Sequence, residues 1–214
     1  MKKKTILLTG FEPFGGETIN PSWEVARSLH GELIAGARVE ALQLPCVFGE
    51  SLKVLDAAVK HHKPAVVLAL GQATGRAALS LERVAINLID ARIADNAERQ
   101  PIDEPVIAGA PTAHFSNLPV KAMAAGMREG GYPAELSFTA GSFVCNEVFF
   151  GLMQVLAGTS TRGGFMHLPC LPEQAARKPA PSLALSTMVG GVRVALEVAM
   201  ATQTELKETG GTIS

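Results

Sequence analysis

The stretch Pro64-Ala-Val-Val-Leu-Ala-Leu70 consists almost wholly of Ala, Val and Leu, without the polar alternation of a strand that has one face in water. Strands that are covered on both faces have this composition, and they are typical of parallel sheets flanked by helices. The rest of the chain agrees, because predicted strands and helices alternate along it. We therefore predict an α/β fold: a single-domain three-layer sandwich over residues 1–214, built around a mostly parallel, twisted sheet.

The other elements are predicted from periodicity and capping residues. Asn20-Pro21 offers an N-cap and a first-turn proline, which favours a helix through about Leu29. Alternate residues from Glu82 to Leu88 share one face at period two, which predicts a strand over residues 81–88. We predict further strands at 4–9, 39–44, 134–138 and around His167, and helices at 50–61, 120–129, 183–207 and from Cys145 onward.

Residues 94–118 interrupt this alternation. They contain many Pro, Asp, Asn and Gly residues and no sustained periodicity, which indicates a long ordered loop. Loops of this length in a compact domain usually have a function. We therefore expect a lid over a site or an interface with a second subunit.

Charge and composition exclude several classes of partner. The 214 residues carry a net charge of −1, and no long run of Lys or Arg provides the positive face that nucleic acid or an anionic membrane requires. No stretch approaches the roughly 20 apolar residues of a membrane-spanning helix. Cys46, Cys145 and Cys170 are odd in number and widely spaced, which fits reduced thiols. We expect a cytoplasmic protein without nucleic-acid or membrane partners.

Cys145 has the sequence context of a nucleophile. It follows the small-residue turn Thr139-Ala-Gly-Ser142 and opens a helical pattern with apolar residues four, seven, eight and eleven positions further on. The free N–H groups and the positive dipole end of a helix favour thiolate over thiol. We therefore expect a reactive thiol at the start of a helix.

A thiol nucleophile needs a base, and His167 ends an apolar run that is predicted to be a strand. Glu82 could accept the imidazole N–H and hold the ring toward Cys145. All three residues would lie near strand ends, where open α/β sheets collect their sites. Two other interpretations stay open. Glu82 could be the ion-pair partner of Arg76 or Arg83, and His167 could be a hydrogen-bonded core residue.

The loop Gly10-Phe-Glu-Pro-Phe-Gly-Gly16 follows the first strand but lacks both the GxGxxG spacing and the Gly-Lys-Ser/Thr ending of nucleotide-binding loops. We interpret Phe11 and Phe14 as walls of an apolar slot, since they lack the periodicity of a core face. Gln72, after the third strand, is expected to add a polar contact there. His167-Leu-Pro-Cys170 has the spacing of two zinc ligands, but no second close pair completes a set of four, and no metal is predicted.

Several long motifs occur in one order along the chain. They are Thr9-Gly-Phe-Glu-Pro-Phe-Gly-Gly16 with Asn20-Pro21, Gly71-Gln72 with Gly75-Arg76, Glu82-Arg-Val-Ala-Ile-Asn87, Asp90-Ala-Arg92 with Asp95-Asn96, Thr139-Ala-Gly141 with Val144-Cys-Asn146, and His167 with Leu171-Pro-Glu-Gln174. With these motifs the chain resembles, nearly end to end, the pyroglutamyl peptidase I family of bacterial cysteine peptidases, also called pyrrolidone-carboxylate peptidases.

The resemblance implies a reaction, a subunit assembly and a set of substrate contacts. It implies a triad of Glu82, Cys145 and His167 that removes N-terminal pyroglutamate (5-oxoproline) from peptides through a thioester acyl-enzyme, without a metal or an organic cofactor. It also implies that the 94–118 loop shapes contacts in a homotetramer or homodimer. The residues that it implies around the substrate ring are Phe11 and Phe14 as a sandwich, with Gln72, Phe143 and Val144 near it and Asn20 in support.

Two other functions share part of this pattern. A glutaminase of the amidotransferase kind also uses Cys, His and Glu, but its nucleophile comes first, on a Gly-x-Cys-x-Gly elbow, whereas Glu82 precedes Cys145 here. A non-enzymatic binding protein with the same pocket is disfavoured by the presence of all three triad candidates. Glu147 departs from the family pattern, and its carboxylate would oppose thiolate formation if it pointed inward.

Overall fold

The computed structural model describes residues 4–211, so the first and last three residues of the predicted 1–214 domain lie outside the described residues. The strands are β1 (Lys4–Phe11), β2 (Leu33–Ile34), β3 (Ala37–Leu44), β4 (Val66–Gln72), β5 (Leu79–Glu82), β6 (Val84–Ile86), β7 (Ala113–Phe115), β8 (Ala134–Ser137) and β9 (Arg162–Leu168). The helices are α1 (Pro21–Leu29), α2 (Glu50–His62), α3 (Val120–Glu129), α4 (Val144–Leu156), α5 (Pro172–Ala175) and α6 (Leu185–Ala201).

Seven of these strands form one sheet in the order β2-β3-β1-β4-β9-β5-β8. Strands β3, β1, β4 and β9 are mutually parallel and make its centre. Strand β5 runs antiparallel to β9 and parallel to β8, and the short β2 runs antiparallel to β3. The prediction of a mostly parallel α/β sheet is therefore confirmed, with the reversal at β5 as an addition that the sequence did not predict.

Helices cover both faces of this sheet and create two hydrophobic cores. Helices α1, α3 and α6 cover one core, and α2 and α4 cover the other. Strand β4 is buried along its whole length. Its side chains alternate between the cores, since Leu68 and Leu70 belong to the first and Val67 and Ala69 to the second. The apolar composition of β4 thus predicted the three layers correctly.

The continuous strand predicted over residues 81–88 is wrong. Strand β5 ends at Glu82, and β6 begins at Val84 in a separate two-stranded sheet with β7. Arg83 is the point of exchange: its N–H donates to the Ser137 carbonyl, and its carbonyl accepts from the Ser116 N–H. The backbone therefore changes partners at one residue, while the side-chain alternation continues through it and conceals the break.

Two further boundaries differ from the predictions. The segment 94–118 is not loop throughout, because it contains β7 and an isolated bridge between Ile89 and Glu104. The final helix ends at Ala201 and not at Lys207, since Thr202 has an extended backbone with φ −100° and ψ 124°. The helix predicted from Asn20 is confirmed, with Asn20 as its N-cap. Over residues 4–211, no helix has both the length and the apolar character needed to span a membrane.

Candidate active site

Cys145 lies where the sequence predicted it, as the second residue of α4. The preceding turn places Gly141 at φ +79°, a conformation that favours glycine, and Phe143 is the N-cap residue. The predicted apolar face of α4 is confirmed, because Phe149, Leu152, Met153 and Leu156 are all buried. Burial of that face holds the first turn of α4 against the sheet. Cys145 itself remains only partly buried, at the edge of the second core.

Gly71 allows the thiol to approach the sheet closely. A Cβ atom on Gly71 would lie 2.8 Å from Cys145 Sγ and 2.7 Å from Phe165 Cζ, distances too short for real contacts. Gly71 on β4 is paired with His167 on β9, and paired residues of parallel strands share a face. Cys145 Sγ therefore lies over β4 directly beside the strand position of His167.

Glu82 and His167 form the closest polar contact of the site. His167 Nδ1 and Glu82 Oε1 are 2.7 Å apart, and both side chains are buried. A carboxylate accepts the Nδ1 proton, which leaves Nε2 of a neutral imidazole as the proton acceptor. The Glu82 carboxylate thus selects the tautomer in which Nε2 can act as a base.

The route by which Glu82 reaches His167 differs from the predicted one. We expected Glu82 at a carboxyl end that shares an edge with the other strands, but β5 is antiparallel to β9, so its carboxyl end points the opposite way. Glu82 is paired with Phe165, two residues before His167 and on the same face of β9. The contact between Glu82 and His167 is therefore a diagonal contact across an antiparallel pair.

Arg76 is a further neighbour of Glu82. Its Nη2 is 3.0 Å from Glu82 Oε1 and donates a hydrogen bond to the Thr139 carbonyl, also at 3.0 Å. The two interpretations that the sequence left open for Glu82 therefore both apply, because it is at once the histidine partner and an ion-pair partner. Through Arg76 the carboxylate is also connected to the turn that precedes the Cys145 helix.

The thiol and the imidazole are both shifted toward their neutral forms. Burial raises the pKa of Cys145, and the nearby Cys46 and Glu82 add to this, while Arg76 opposes it. Burial lowers the pKa of His167, against the hydrogen bond and the charge of Glu82. Burial therefore opposes the thiolate that the helix start was expected to favour, and a resting thiolate stays a prediction. The geometry and the pKa shifts fit a neutral thiol–imidazole pair, in which the proton moves during attack.

A cavity of about 360 Å³ opens in front of these residues. Cys145 and His167 line it together with three of the predicted binding residues, Phe14, Gln72 and Phe143. The rings of Phe14 and Phe143 have centroids 6.3 Å apart and are tilted by 39°. The cavity therefore has aromatic walls, an amide and the proposed reacting groups within one volume.

The other three predicted binding residues lie outside the lining of this cavity. Phe11 is 2% exposed and belongs to the second core, against which Phe14 and Phe143 are packed. Val144 is fully buried in the same core. Asn20 caps α1 by accepting the Ser22 N–H, and its Nδ2 donates to the Glu12 carbonyl. Direct contact of these three with a substrate stays a prediction.

The loop of residues 45–49 carries contacts that the sequence did not reveal. Three carboxylates accept its N–H groups: Glu12 from Cys46, Asp95 from Phe48, and Glu147 from Gly49, at 3.0, 2.9 and 2.8 Å. The ring of Phe48 then packs edge-on against Phe143, with centroids 5.2 Å apart. The carboxylates thus hold one aromatic wall of the cavity from behind. They lie far apart along the chain, so no local pattern gave a signal of this.

A three-layer α/β fold with a cysteine and a histidine at one cavity, and a carboxylate in contact with that histidine, is typical of a cysteine hydrolase. Residues 4–202 match the family model described as pyroglutamyl peptidase. The chain is 54% identical to a pyrrolidone-carboxylate peptidase of Erwinia tasmaniensis, over 97% of this chain and 98% of that protein. It is 56% identical to one of Chromobacterium violaceum, over 98% and 99%. The crystal structure of pyroglutamyl peptidase I from Bacillus amyloliquefaciens superposes with a TM-score of 0.94 at 43% identity, covering 97% of this chain and all of that one. The chain belongs to the pyroglutamyl peptidase family of cysteine peptidases.

Proposed function

We propose that this protein removes N-terminal pyroglutamate from peptides through a thioester acyl-enzyme, with Cys145 as nucleophile, His167 as general base and acid, and Glu82 as the residue that orients His167. The observation that carries the proposal is the 2.7 Å contact between Glu82 Oε1 and His167 Nδ1. Cys145 Sγ lies over β4, beside the strand position of His167. The family supports the choice of substrate.

The first half of the reaction forms the acyl-enzyme. His167 Nε2 takes the Cys145 proton as Sγ attacks the pyroglutamyl carbonyl carbon. Backbone N–H groups at the start of α4 stabilise the oxyanion, since the first N–H groups of a helix have no partner within it. The C–N bond then breaks, and the imidazolium returns the proton to the leaving amine. The buried Glu82 carboxylate stabilises the imidazolium between these two steps.

The second half releases the acid. A water molecule donates a proton to His167 Nε2 while the water oxygen attacks the thioester carbonyl carbon. The tetrahedral intermediate then collapses and expels the Cys145 sulfur, which takes the proton back from His167. The products are free pyroglutamate and the thiol form of the protein. His167 accepts and returns the proton in both halves of the reaction, so the proposed cycle requires neither a metal nor an organic cofactor.

The cavity suits a flat, neutral ring. Phe14 and Phe143 provide apolar walls, and Gln72 provides an amide that can recognise the polar edge of the ring. We propose that Phe11 and Val144 support these walls from the second core and that Asn20 fixes the loop that carries Phe14. A charged anchor is unnecessary because pyroglutamate has no free amino group.

We also propose a cytoplasmic homo-oligomer, a dimer or a tetramer, whose contacts involve residues 94–118. Ile102 and Phe115 support this, because they are 65% and 68% exposed on that segment. Light scattering after size exclusion would give the mass. A monomer at micromolar concentration would contradict the proposal.

The test of the reaction compares wild type with Cys145→Ala on a pyroglutamyl amide of a fluorescent amine, beside the matching prolyl and glutaminyl amides. We expect release of the amine from the pyroglutamyl substrate alone, and a loss of at least about 10⁴-fold in kcat for the variant. Release from the glutaminyl amide would favour a glutaminase, and no release by folded, reduced protein would favour a binding protein.

A further inference from the structure

Gln174, on the short helix α5, connects the cavity residue Gln72 to two backbone groups. Its Oε1 accepts the Leu171 N–H at 3.0 Å. Its Nε2 lies 3.3 Å from the Ile19 carbonyl and 3.3 Å from Oε1 of Gln72. Gln174 is 3% exposed and does not line the cavity itself. It is therefore a buried neighbour of the site with both ends of its amide engaged.

The two backbone groups determine which end of each amide is the donor. The Leu171 N–H can only donate, so the Gln174 atom beside it must be oxygen, and the Ile19 carbonyl can only accept, so the other atom must be nitrogen. That nitrogen also faces Gln72, whose nearest atom must then be its oxygen. The polarity of the Gln72 amide is thus fixed by backbone groups that it does not touch.

This arrangement leaves the nitrogen of Gln72 with spare donor capacity. Its Nε2 lies 3.4 Å from Cys170 Sγ and 3.5 Å from Thr74 Oγ1, a weak acceptor and a long contact. Gln72 lines the cavity beside His167, and Thr74 lines it as well. A carbonyl oxygen in the cavity would be a better partner for Nε2 than either of these groups.

We propose that Gln174 is a positioning residue that holds the Gln72 amide with its N–H₂ toward the ring carbonyl of the substrate, so that the site selects a lactam over a plain pyrrolidine ring. Pyroglutamyl and prolyl groups differ in this carbonyl and in the positive charge that the prolyl nitrogen carries at neutral pH, so an N–H₂ group that faces the carbonyl contributes to discrimination between them. The inference rests on the proposed function, because it assumes that the ring occupies the cavity.

The variant Gln174→Glu tests this orientation with little change of shape. The carboxylate can still accept the Leu171 N–H, but it cannot donate to Gln72 or to the Ile19 carbonyl. The Gln72 amide is then expected to turn its nitrogen toward the carboxylate and its oxygen into the cavity. Two oxygens would face each other when a lactam binds.

Three measurements separate positioning from damage. We expect KM for the pyroglutamyl amide to rise by about tenfold or more, with kcat changed by less than about threefold. We expect 2-pyrrolidinone to bind at least about tenfold more weakly by calorimetry when Gln174→Glu is introduced into the Cys145→Ala protein. The rate at which iodoacetamide alkylates Cys145 should not change, which shows that the site is intact.

The matched control is Gln154→Glu, the same substitution at a partly buried glutamine that contacts His114 and lies outside the cavity. It should change none of the three readouts. A second variant, Gln174→Met, removes both polar ends and should weaken lactam binding less than Gln174→Glu, because it frees the Gln72 amide without reversing it.

Equal binding of 2-pyrrolidinone with and without Gln174→Glu would overturn the inference, and so would a failure of the Cys145→Ala protein to bind it. The binding arm needs no turnover, so it decides the inference even if the pyroglutamyl amide is not hydrolysed. Absence of hydrolysis would instead remove the proposed function. An equal loss of lactam binding and of Cys145 alkylation would mean that the variant disrupts the site, and Gln174→Met would then have to show the selective loss or the inference is withdrawn.

Discussion

Glu82 and Glu147 are two buried glutamates close to the cavity, and they have opposite surroundings. Glu82 is fully buried, and its Oε1 has two side-chain partners, His167 at 2.7 Å and Arg76 at 3.0 Å. Glu147 is 3% exposed, and its Oε1 has one backbone partner, the Gly49 N–H at 2.8 Å. In each residue, Oε2 has no hydrogen-bond partner within residues 4–211.

The two carboxyl groups differ in whether a positive charge lies beside them. Burial alone disfavours the charged form, and this raises the pKa of Glu147 to about 7, against the Gly49 hydrogen bond. Glu82 has the guanidinium of Arg76 at 3.0 Å, and an opposite charge at this distance offsets part of the cost of burying a carboxylate. Glu82 is thus equipped to stabilise an imidazolium. Glu147 accepts a hydrogen bond from the loop of residues 45–49.

Among the variants that compare Glu82 with Glu147, Glu82→Gln should have the largest effect on turnover. We expect kcat to fall roughly 10³-fold, since the amide cannot stabilise the imidazolium and no longer enforces the tautomer. The hydrogen bond and charge of Glu82 raise the pKa of His167 against burial, so their loss should lower it further. The acid limb of kcat/KM should therefore move to lower pH.

The measurement is a pH profile of kcat/KM for wild type, Glu82→Gln and Glu147→Gln. Glu147→Gln should keep most of the wild-type kcat, with an unchanged acid limb. Equal losses in the two variants would show that the two glutamates are not distinguished by their partners. An acid limb that moves upward in Glu82→Gln would mean that Glu82 does not act on His167 electrostatically.

Substitution of Arg76 should have an intermediate effect on turnover and should shift the acid limb in the opposite direction from Glu82→Gln. Its charge lowers the pKa of both His167 and Cys145, so Arg76→Gln should raise both. The acid limb of kcat/KM should move to higher pH, and kcat should fall by about tenfold, because Glu82 loses its counter-charge. Arg76→Lys should restore the acid limb but not the Thr139 contact. An unchanged acid limb would contradict an electrostatic action of Arg76 on His167.

The contrast between β4 and β5 shows which parts of this site a sequence can predict. Composition predicts β4, and periodicity predicts the Cys145 helix, because both patterns lie within one segment. Residue type identifies Glu82 as a candidate, but its approach to His167 depends on the antiparallel pairing of β5 with β9, which no local pattern encodes. The clearance at Gly71 becomes visible only when the helix and the sheet are placed together.

Phe11 and Gln174 are two further residues whose surroundings cannot be predicted from local sequence. The loop around Phe11 has no core periodicity, and no local pattern shows that β1 extends to Phe11 and packs it in the second core with Leu7. In the sequence, Gln174 is only one member of a motif, since nothing there shows that its amide faces Gln72. Both outcomes depend on long-range packing, and neither depends on the properties of the residue itself.

Glu147→Gln should have the smallest effect on turnover and a visible effect on stability. In the unfolded chain this carboxyl has its ordinary pKa near 4.5, and burial raises it to about 7 in the folded protein. Between these values the folded state binds a proton that the unfolded state has released, so the stabilising contribution is complete below about pH 4.5 and is lost as pH rises through 7. Wild type should therefore lose stability over this range on account of Glu147, by an amount on the order of 2 kcal/mol.

Urea unfolding of wild type and Glu147→Gln at fixed protein concentration measures this loss. The variant is a suitable reference because its glutamine keeps an acceptor for the Gly49 N–H and has no charge to bury. Glu147→Gln should be more stable than wild type by about 2 kcal/mol near pH 8 and nearly equal to it near pH 5. The control is Glu129→Gln, at an exposed glutamate on α3, which should leave the difference between the two pH values unchanged. A loss of stability of the same size at both pH values would mean that Glu147 is held as an anion, and the distinction between the two glutamates would then rest on position alone.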